Sequence, residues 1–367
     1  MLSKLPQGKS ISALLLIAPF FFWGTAMVAM KGAIADTTPF FLAGFRLVPA
    51  GFLVLVAAML SRREQPKTWK AWLWIALFAL VDGTLFQGFL AQGLTRTGAG
   101  LGSVMIDSQP LAVALLAWIL FGEKIGLIGA IGLLLGVGGI SLLGLPQEWI
   151  RQWVDPTVWS CASFSFVPLD LISSLFDNGQ WLMLMAALSM AIGTVMVRYV
   201  SRHVDPVVAT GWHMVLGGLP LFVLSDWLEV DQWTALTATD WLALGYSTVF
   251  GSALSYGLFF YFASQGNLTS LSSLTFLTPV FALTFGNFFL AENLEPYQWL
   301  GVALTLVSIY AINQRDALAA KLWPAANDSL DPDRSRVDGD RADGSTMAAI
   351  AVGLADDSSP DHKISSP

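Results

Sequence analysis

Three ionisable side chains stand where hydrocarbon would make them expensive: Arg46 in the apolar stretch 37–61, Asp82 in 71–95 and Asp107 in 97–122. An Arg or Asp at the centre of a membrane-spanning helix costs about 2.5–3.5 kcal/mol, so each calls for a partner or a wet cavity. Counted from the same end of their segments, the three lie at comparable depth and could meet. Around a cavity, the carboxylates become proton carriers and Arg46 an anchor for an anion or carboxylate. Packed only on one another, they are a structural Arg–carboxylate pair tying their helices together. His213, in the position corresponding to Arg46 later in the chain, titrates near neutral pH in water, and reads either as a proton relay or as a satisfied hydrogen-bonding group. The sequence around it offers Ser252, Ser255, Tyr256, Tyr261, Thr278 and Asn287 in place of charges. One part of such a site would read charge and the other polar or aromatic groups, which suits an amphipathic zwitterion or small polar organic molecule.

Gln109-Pro110 and Thr278-Pro279 add backbone chemistry. A proline within a helix removes a hydrogen bond and frees the carbonyl four residues earlier, here those of Ile106 and Thr275. Such interruptions at matching places in two halves point to a binding site near the bilayer midplane; the other reading is a packing kink. Other chemistries lack their motifs. There is no GxxxxGK[ST] to cradle a nucleotide and no HExxH, and the histidines His203, His213 and His362 are scattered. The single Cys161 excludes an intrachain disulfide. An intramembrane enzyme would need Asp82 and Asp107 juxtaposed without Arg46 between them, and a channel or sensor scaffold would need a continuous polar lane or a folded regulatory domain. The expectation is a protein that is not an enzyme, with no catalytic residue, no metal and no cofactor.

The elements that must position these residues follow from composition. With 55% hydrophobic and 12% charged residues and a mean hydropathy of +0.63, the chain is too apolar to fold in water. About 20 apolar residues make one helical crossing. Uncharged or nearly uncharged runs at 10–30, 37–61, 71–95, 97–122, 125–147, 178–197, 206–225 and 296–314 each fit one, and the long run 241–291 folds back at Gln265-Gly266-Asn267 to give two. The expected fold is all-α and integral to the membrane, with ten transmembrane helices. The first run has no cleavage site after it and is kept as a helix, not a signal peptide. Glycines such as Gly129, Gly132, Gly136 and Gly138-Gly139 permit close helix packing.

The halves are related. An offset of 169 positions superposes Gly24-Thr25 on Gly193-Thr194, Met27 on Met196, Gly88 on Gly257, Pro110 on Pro279, Glu123 on Glu292 and Gly132 on Gly301. A two-residue adjustment brings Pro39 over Pro206, Gly44 over Gly211 and Arg46 over His213. Five helices per half, an odd number, make the repeats inverted, a recurrent transporter design in which two tilts of the halves expose one central site to either face. The organisation read from this is a cytoplasmic N-terminus 1–10, a first repeat 11–146, an outer-side connection 147–179 rich in Trp and Phe, a second repeat 180–315, and a tail 316–367. The tail carries ten Asp against five Lys or Arg and is read as solvated and disordered. Lys and Arg cluster in the loops that share a side with the N-terminus (Arg62, Arg63, Lys67, Lys70, Lys124, Arg198, Arg202), so both termini are expected in the cytoplasm.

Trp23-Gly24-Thr25 with Lys31 closing the first helix, Arg46 in the second, and Gln109-Pro110 to Gly122-Glu123-Lys124 ahead of a glycine-rich helix resemble the drug/metabolite transporter superfamily, EamA-like branch. The resemblance covers about residues 11–315. It implies a ten-helix inverted-repeat permease with a central cavity, exporting amino acids, other metabolites or toxic organics. Trp23 and Arg46 fall at cavity or helix-one and helix-two positions typical of the family, and Glu123 and Glu292 at structural caps. The second half departs from the pattern, with Ile192 in place of Trp and His213 in place of Arg. The combined expectation is a multi-pass protein of the cell membrane that moves amino acids or similar amphipathic solutes outward by alternating access. Efflux of drugs or toxic organic cations is the alternative. Its substrate-binding residues would be Trp23, Arg46, Asp82, Asp107, Gln109, His213, Tyr256 and Thr278, with Pro110 and Pro279 as helix kinks. Its partners would be a small-molecule substrate, the lipid bilayer, and protons or a counter-substrate; no nucleic acid is called for, and a homodimer is left open.

Overall fold

The computed structural model describes residues 9–122, 126–144, 178–264, 274 and 277–322. The expected turn at 265–267, Glu123, nearly all of the connection 147–179, and the tail beyond 322 lie outside the described residues. The regular elements of the described residues are all helices, joined by short loops. Helices α1 (Lys9–Ala33) and α2 (Pro39–Leu60) are followed by α3, which runs from Trp69 to Arg96. Then come α4 (Ala99–Ile106 resuming as Gln109–Phe121), α5 (Leu127–Gly144), α6 (Gly179–Val200) and α7 (Pro206–Leu228). Helix α8 comprises Ala238–Thr248, Val249–Leu254 and Ser255–Ser264, and α9 (Leu277–Leu290), α10 (Pro296–Asn313) and α11 (Arg315–Leu322) complete the order. Seven are long and apolar enough to cross a membrane, and three more, at Leu127–Leu143, Leu277–Leu290 and Pro296–Ile312, are shorter apolar helices.

Helix starts follow the local chemistry. Pro39, Pro206 and Pro296 each open a helix, where a missing N–H costs nothing. Asn178 and Asp205 accept hydrogen bonds from the first free amides of α6 and α7, and Thr237 with Asp240 forms a reciprocal capping box on α8. The outer surface is apolar: Phe52, Met59, Leu134, Leu242, Phe288 and Val307 are exposed, as expected of side chains that meet lipid rather than water.

Three expectations change. Pro110 is not a kink inside a continuous helix: α4 stops at Ile106, passes through Asp107 and Ser108, and restarts at Gln109, so Pro110 sits in a first turn that needs no amide from it. Pro279 likewise lies in the first turn of α9. Residues 315–322 form α11, where a disordered segment was expected from 316; its run of Ala, Leu and Lys favours helix locally. The helix expected at 71–95 and the first of the two expected within 241–291 contain π segments, Ala79–Leu85 in α3 and Val249–Leu254 in α8. Displaced by the offset that carries Gly24 to Gly193, the first falls almost on the second.

Helix α2 packs along α7, α5 along α10, α1 against α8 and α9, and α6 against α3 and α4. The α2–α7 seam is closed by glycine. A Cβ at Gly51 would lie 2.8 Å from the Gly211 carbonyl oxygen, and one at Gly218 would lie 2.6 Å from Val48. The two helices run antiparallel, because Glu229 at the end of α7 accepts from the Phe40 and Phe41 amides at the start of α2 (2.8 and 3.1 Å), while Arg63 just beyond α2 pairs with Asp205 at the start of α7 (2.8 Å).

Candidate substrate-binding site

The polar interior is assembled where α2, α3, α7 and α8 meet. Arg46 of α2 and Asp82 and His213 are 6%, 9% and 3% exposed. Asp82 lies in the π segment of α3, whose backbone is pressed onto α7: a Cβ on Gly83 would stand 2.7 Å from Gly217 Cα, and the Thr84 hydroxyl donates to the Gly217 carbonyl at 2.9 Å. A π turn is wider than an α turn and resets which side chains face a neighbour. Here Asp82 Oδ2 lies 3.2 Å from Nε2 of His213, whose ring is covered by Phe78 with centroids 4.3 Å apart.

The expected pairing of Arg46 with a carboxylate is therefore not what forms. Arg46 donates through Nη2 to the Gln87 side-chain oxygen, a neutral partner one helical turn beyond Asp82, and its Nε has no hydrogen-bond partner. Among the described residues no carboxylate comes within ion-pairing distance of Arg46. The physical reason is the π segment, which aims Asp82 at α7 and leaves Gln87 to meet α2. His213 Nδ1 is likewise buried without a partner. Buried donors left unmet cost about 1–3 kcal/mol each, more on a charged group, which makes such atoms candidates for a ligand.

Tyr256 of α8 links this cluster to an aromatic wall. It lies within electrostatic reach of both Arg46 and Asp82, and its ring meets Trp23 of α1 edge-on at 5.5 Å. Trp23 in turn contacts Phe20 and Phe259. On the α6 side, Asp82 is covered by Gly193, where a Cβ would come 2.5 Å from Oδ1. The neighbouring Thr194 hydroxyl accepts from Gln109 Nε2 at 2.5 Å, joining the restart of α4 to the same region. Thr278 presents its carbonyl oxygen to Gly24, beside Trp23, at a separation only glycine permits.

So Trp23, Arg46, Asp82, His213 and Tyr256 are brought together, with Gln109 and Thr278 at the flanks. Asp107 is not drawn into the Arg46 cluster: its Oδ2 accepts from Ser103 of its own helix at 3.0 Å. Gln87 and Thr194 were missed from sequence because an uncharged Gln or Thr carries no cost signal in an apolar run. The glycines at 83 and 193, mid-span and beside charged or polar residues, were the available hint.

Residues 10–145 and 177–314 match the family model described as the EamA-like transporter family. An uncharacterized transporter of Synechocystis sp. is 63% identical over 311 residues, covering 85% of this chain and 92% of that protein. A WAT1-related protein of Arabidopsis thaliana, described as chloroplastic, is 54% identical over 311 residues, 84% of this chain and 70% of its own. A solved crystal structure 17% identical to the chain shares the fold at a TM-score of 0.55, covering 86% of this chain and 99% of that one. With both stretches of helices matched, the chain belongs to the EamA-like transporter family and is a multi-pass membrane transporter of small molecules, not an enzyme.

Proposed function

We propose that this transporter exports amino acids or similar amphipathic zwitterions across the cell membrane by alternating access, using ten helices arranged as two inverted five-helix repeats. The observation that carries the substrate class is Arg46: a buried guanidinium with an unmet Nε, a neutral partner, and no carboxylate of the described chain within ion-pairing distance. A substrate carboxylate supplies what is missing, through a charge-assisted hydrogen bond. Trp23 and Tyr256 offer an apolar and aromatic surface beside it, and Asp82 offers a counter-charge for an ammonium group. A drug-like organic cation fits less well, since it would bring a second positive charge up to Arg46.

The inverted repeat is supported by reciprocal contacts. Gly51 meets Gly211, Met214 and Val215, while Gly218 meets Leu47 and Val48; under the offset that relates Gly44 to Gly211, these are the same contacts read in the opposite direction. The paired π segments and the first-turn prolines of the α4 restart and α9 support it too. Discontinuous helices at matching positions are where such carriers bind substrate. Lys and Arg bias supports cytoplasmic termini.

The test is uptake and efflux in reconstituted vesicles, with and without an imposed pH gradient, of labelled amino acids, nucleobases and cationic dyes. Wild type is run beside Arg46→Gln and Asp107→Asn. Movement of amino acids that Arg46→Gln loses is the expected result. Movement of dyes alone, unaffected by Arg46→Gln, would overturn the substrate class.

A further inference from the structure

We propose that Asp82 and His213 together form the proton-binding site of this transporter, and that a zwitterion whose carboxylate rests on Arg46 displaces this proton when its ammonium group reaches Asp82. The inference rests on the zwitterion reading above and adds to it the coupling ion, the residues that hold it and the order of charges.

The pair bridges α3 and α7, elements of different halves, so any rocking of one half against the other changes its geometry. Nε2 faces Asp82 Oδ2 at 3.2 Å, which leaves Nδ1, buried and without a partner, as the ring atom that gains and loses the proton. The groups facing the pair are few. From α2 comes Arg46, bonded to Gln87. From α8 comes Tyr256, which senses both Asp82 and Arg46. From α6, Gly193 lies against the carboxylate. Within α3, Phe78 covers the imidazole and Thr84 turns its hydroxyl to the Gly217 carbonyl. No second carboxylate of the described chain lies within ion-pairing distance of His213 to compete for its charge.

Charge balance then sets the order of events. In the loaded state an imidazolium and a carboxylate cancel, and Arg46 leaves the site one positive charge. A zwitterion brings its carboxylate to Arg46 and its ammonium to Asp82. The ammonium takes over the carboxylate and repels the imidazolium, which gives its Nδ1 proton to water. Only that N–H bond breaks, and the site becomes neutral with substrate bound. Release of substrate on the far side leaves Asp82 to draw a proton back onto His213. One proton moves in for each zwitterion moving out, so an inward proton gradient drives export.

The experiment uses the full-length chain in detergent, in weakly buffered solution with an indicator dye. Leucine, phenylalanine and their deaminated analogues 4-methylpentanoate and 3-phenylpropanoate are added in turn, and binding is followed in parallel by thermal shift. Wild type is expected to release roughly one proton per chain on binding leucine or phenylalanine, and none on binding the deaminated acids. His213→Gln, read at amino-acid concentrations that saturate its own thermal shift, should release about tenfold less proton per chain, or less still. Asp82→Glu, which keeps the carboxylate, should retain release. Amino-acid binding without proton release in the wild type, or release undiminished in His213→Gln, overturns the proton site and leaves the zwitterion reading standing. Absence of a thermal shift with any amino acid overturns both.

Discussion

At the scale of single residues, the informative feature is a charge kept at a loss. Arg46 is buried beside a neutral Gln87 with one nitrogen unmet. A buried charge without its partner destabilises the fold, and replacing it with an apolar side chain of similar volume is often neutral or stabilising by about 1–4 kcal/mol. Arg46→Met is therefore expected to hold or raise the melting temperature of the purified protein while transport is lost. A large drop in melting temperature would mean that Arg46 serves the fold rather than a ligand. A gain in stability is also expected at Ala291, which holds a left-handed backbone with φ 52° at the end of α9. Ala in that region pays about 1–2 kcal/mol, partly offset by the extra freedom glycine has when unfolded. Ala291→Gly should stabilise by about 0.5–1 kcal/mol, read as a higher thermal midpoint with transport unchanged. The corresponding residue of the first half is already a glycine, Gly122, at φ 64°. Arg46, Asp82 and His213 were legible in the sequence because charges stand out in apolar runs. Their pairing was not, since it depends on which way a helix face is turned.

At the scale of elements, the π segments and the caps supplied by distant helices decide how the site is built. Glu292, two residues past α9, places its carboxylate on the Ala99 and Gly100 amides at the start of α4, at 2.6 and 3.1 Å. Its reading as a structural cap was right in kind, but it caps a helix of the other half rather than its own. Those charge-assisted bonds to a helix N-terminus are worth about 1–3 kcal/mol. Glu292→Gln should lower stability by that amount in chemical or thermal unfolding of the detergent-solubilised protein; a neutral result would mean that the free amides find other partners. Glu229 does the same for α2, and no local pattern in the sequence announced it, because both its amides belong to a helix far away along the chain. The break at Asp107–Ser108 was legible from Pro110 as an interruption. A proline alone, however, does not distinguish a bent helix from one that stops and restarts.

At the scale of the whole molecule, the chain holds two similar sets of helices that interlock, α1 with α8 and α9 and α6 with α3 and α4, around the α2–α7 seam. The repeat read from the sequence rests on Gly, Pro and Glu keeping one register along the chain, and Gly and Pro are residues whose backbone demands leave little freedom to drift. Gly51 belongs to that seam, with the Gly211 carbonyl 2.8 Å from where its Cβ would be. Gly51→Leu should overpack it and cost about 1–3 kcal/mol, seen as a lower midpoint and reduced transport together. The central claim is a carrier whose substrate is held at Arg46 between the two halves. Counterflow tests it most directly: vesicles loaded with unlabelled leucine and phenylalanine are diluted into labelled tracer of the same amino acids. The account predicts a transient accumulation of tracer in wild-type vesicles that disappears with Arg46→Gln. Tracer that only equilibrates without overshoot, or an overshoot that Arg46→Gln leaves intact, would contradict it.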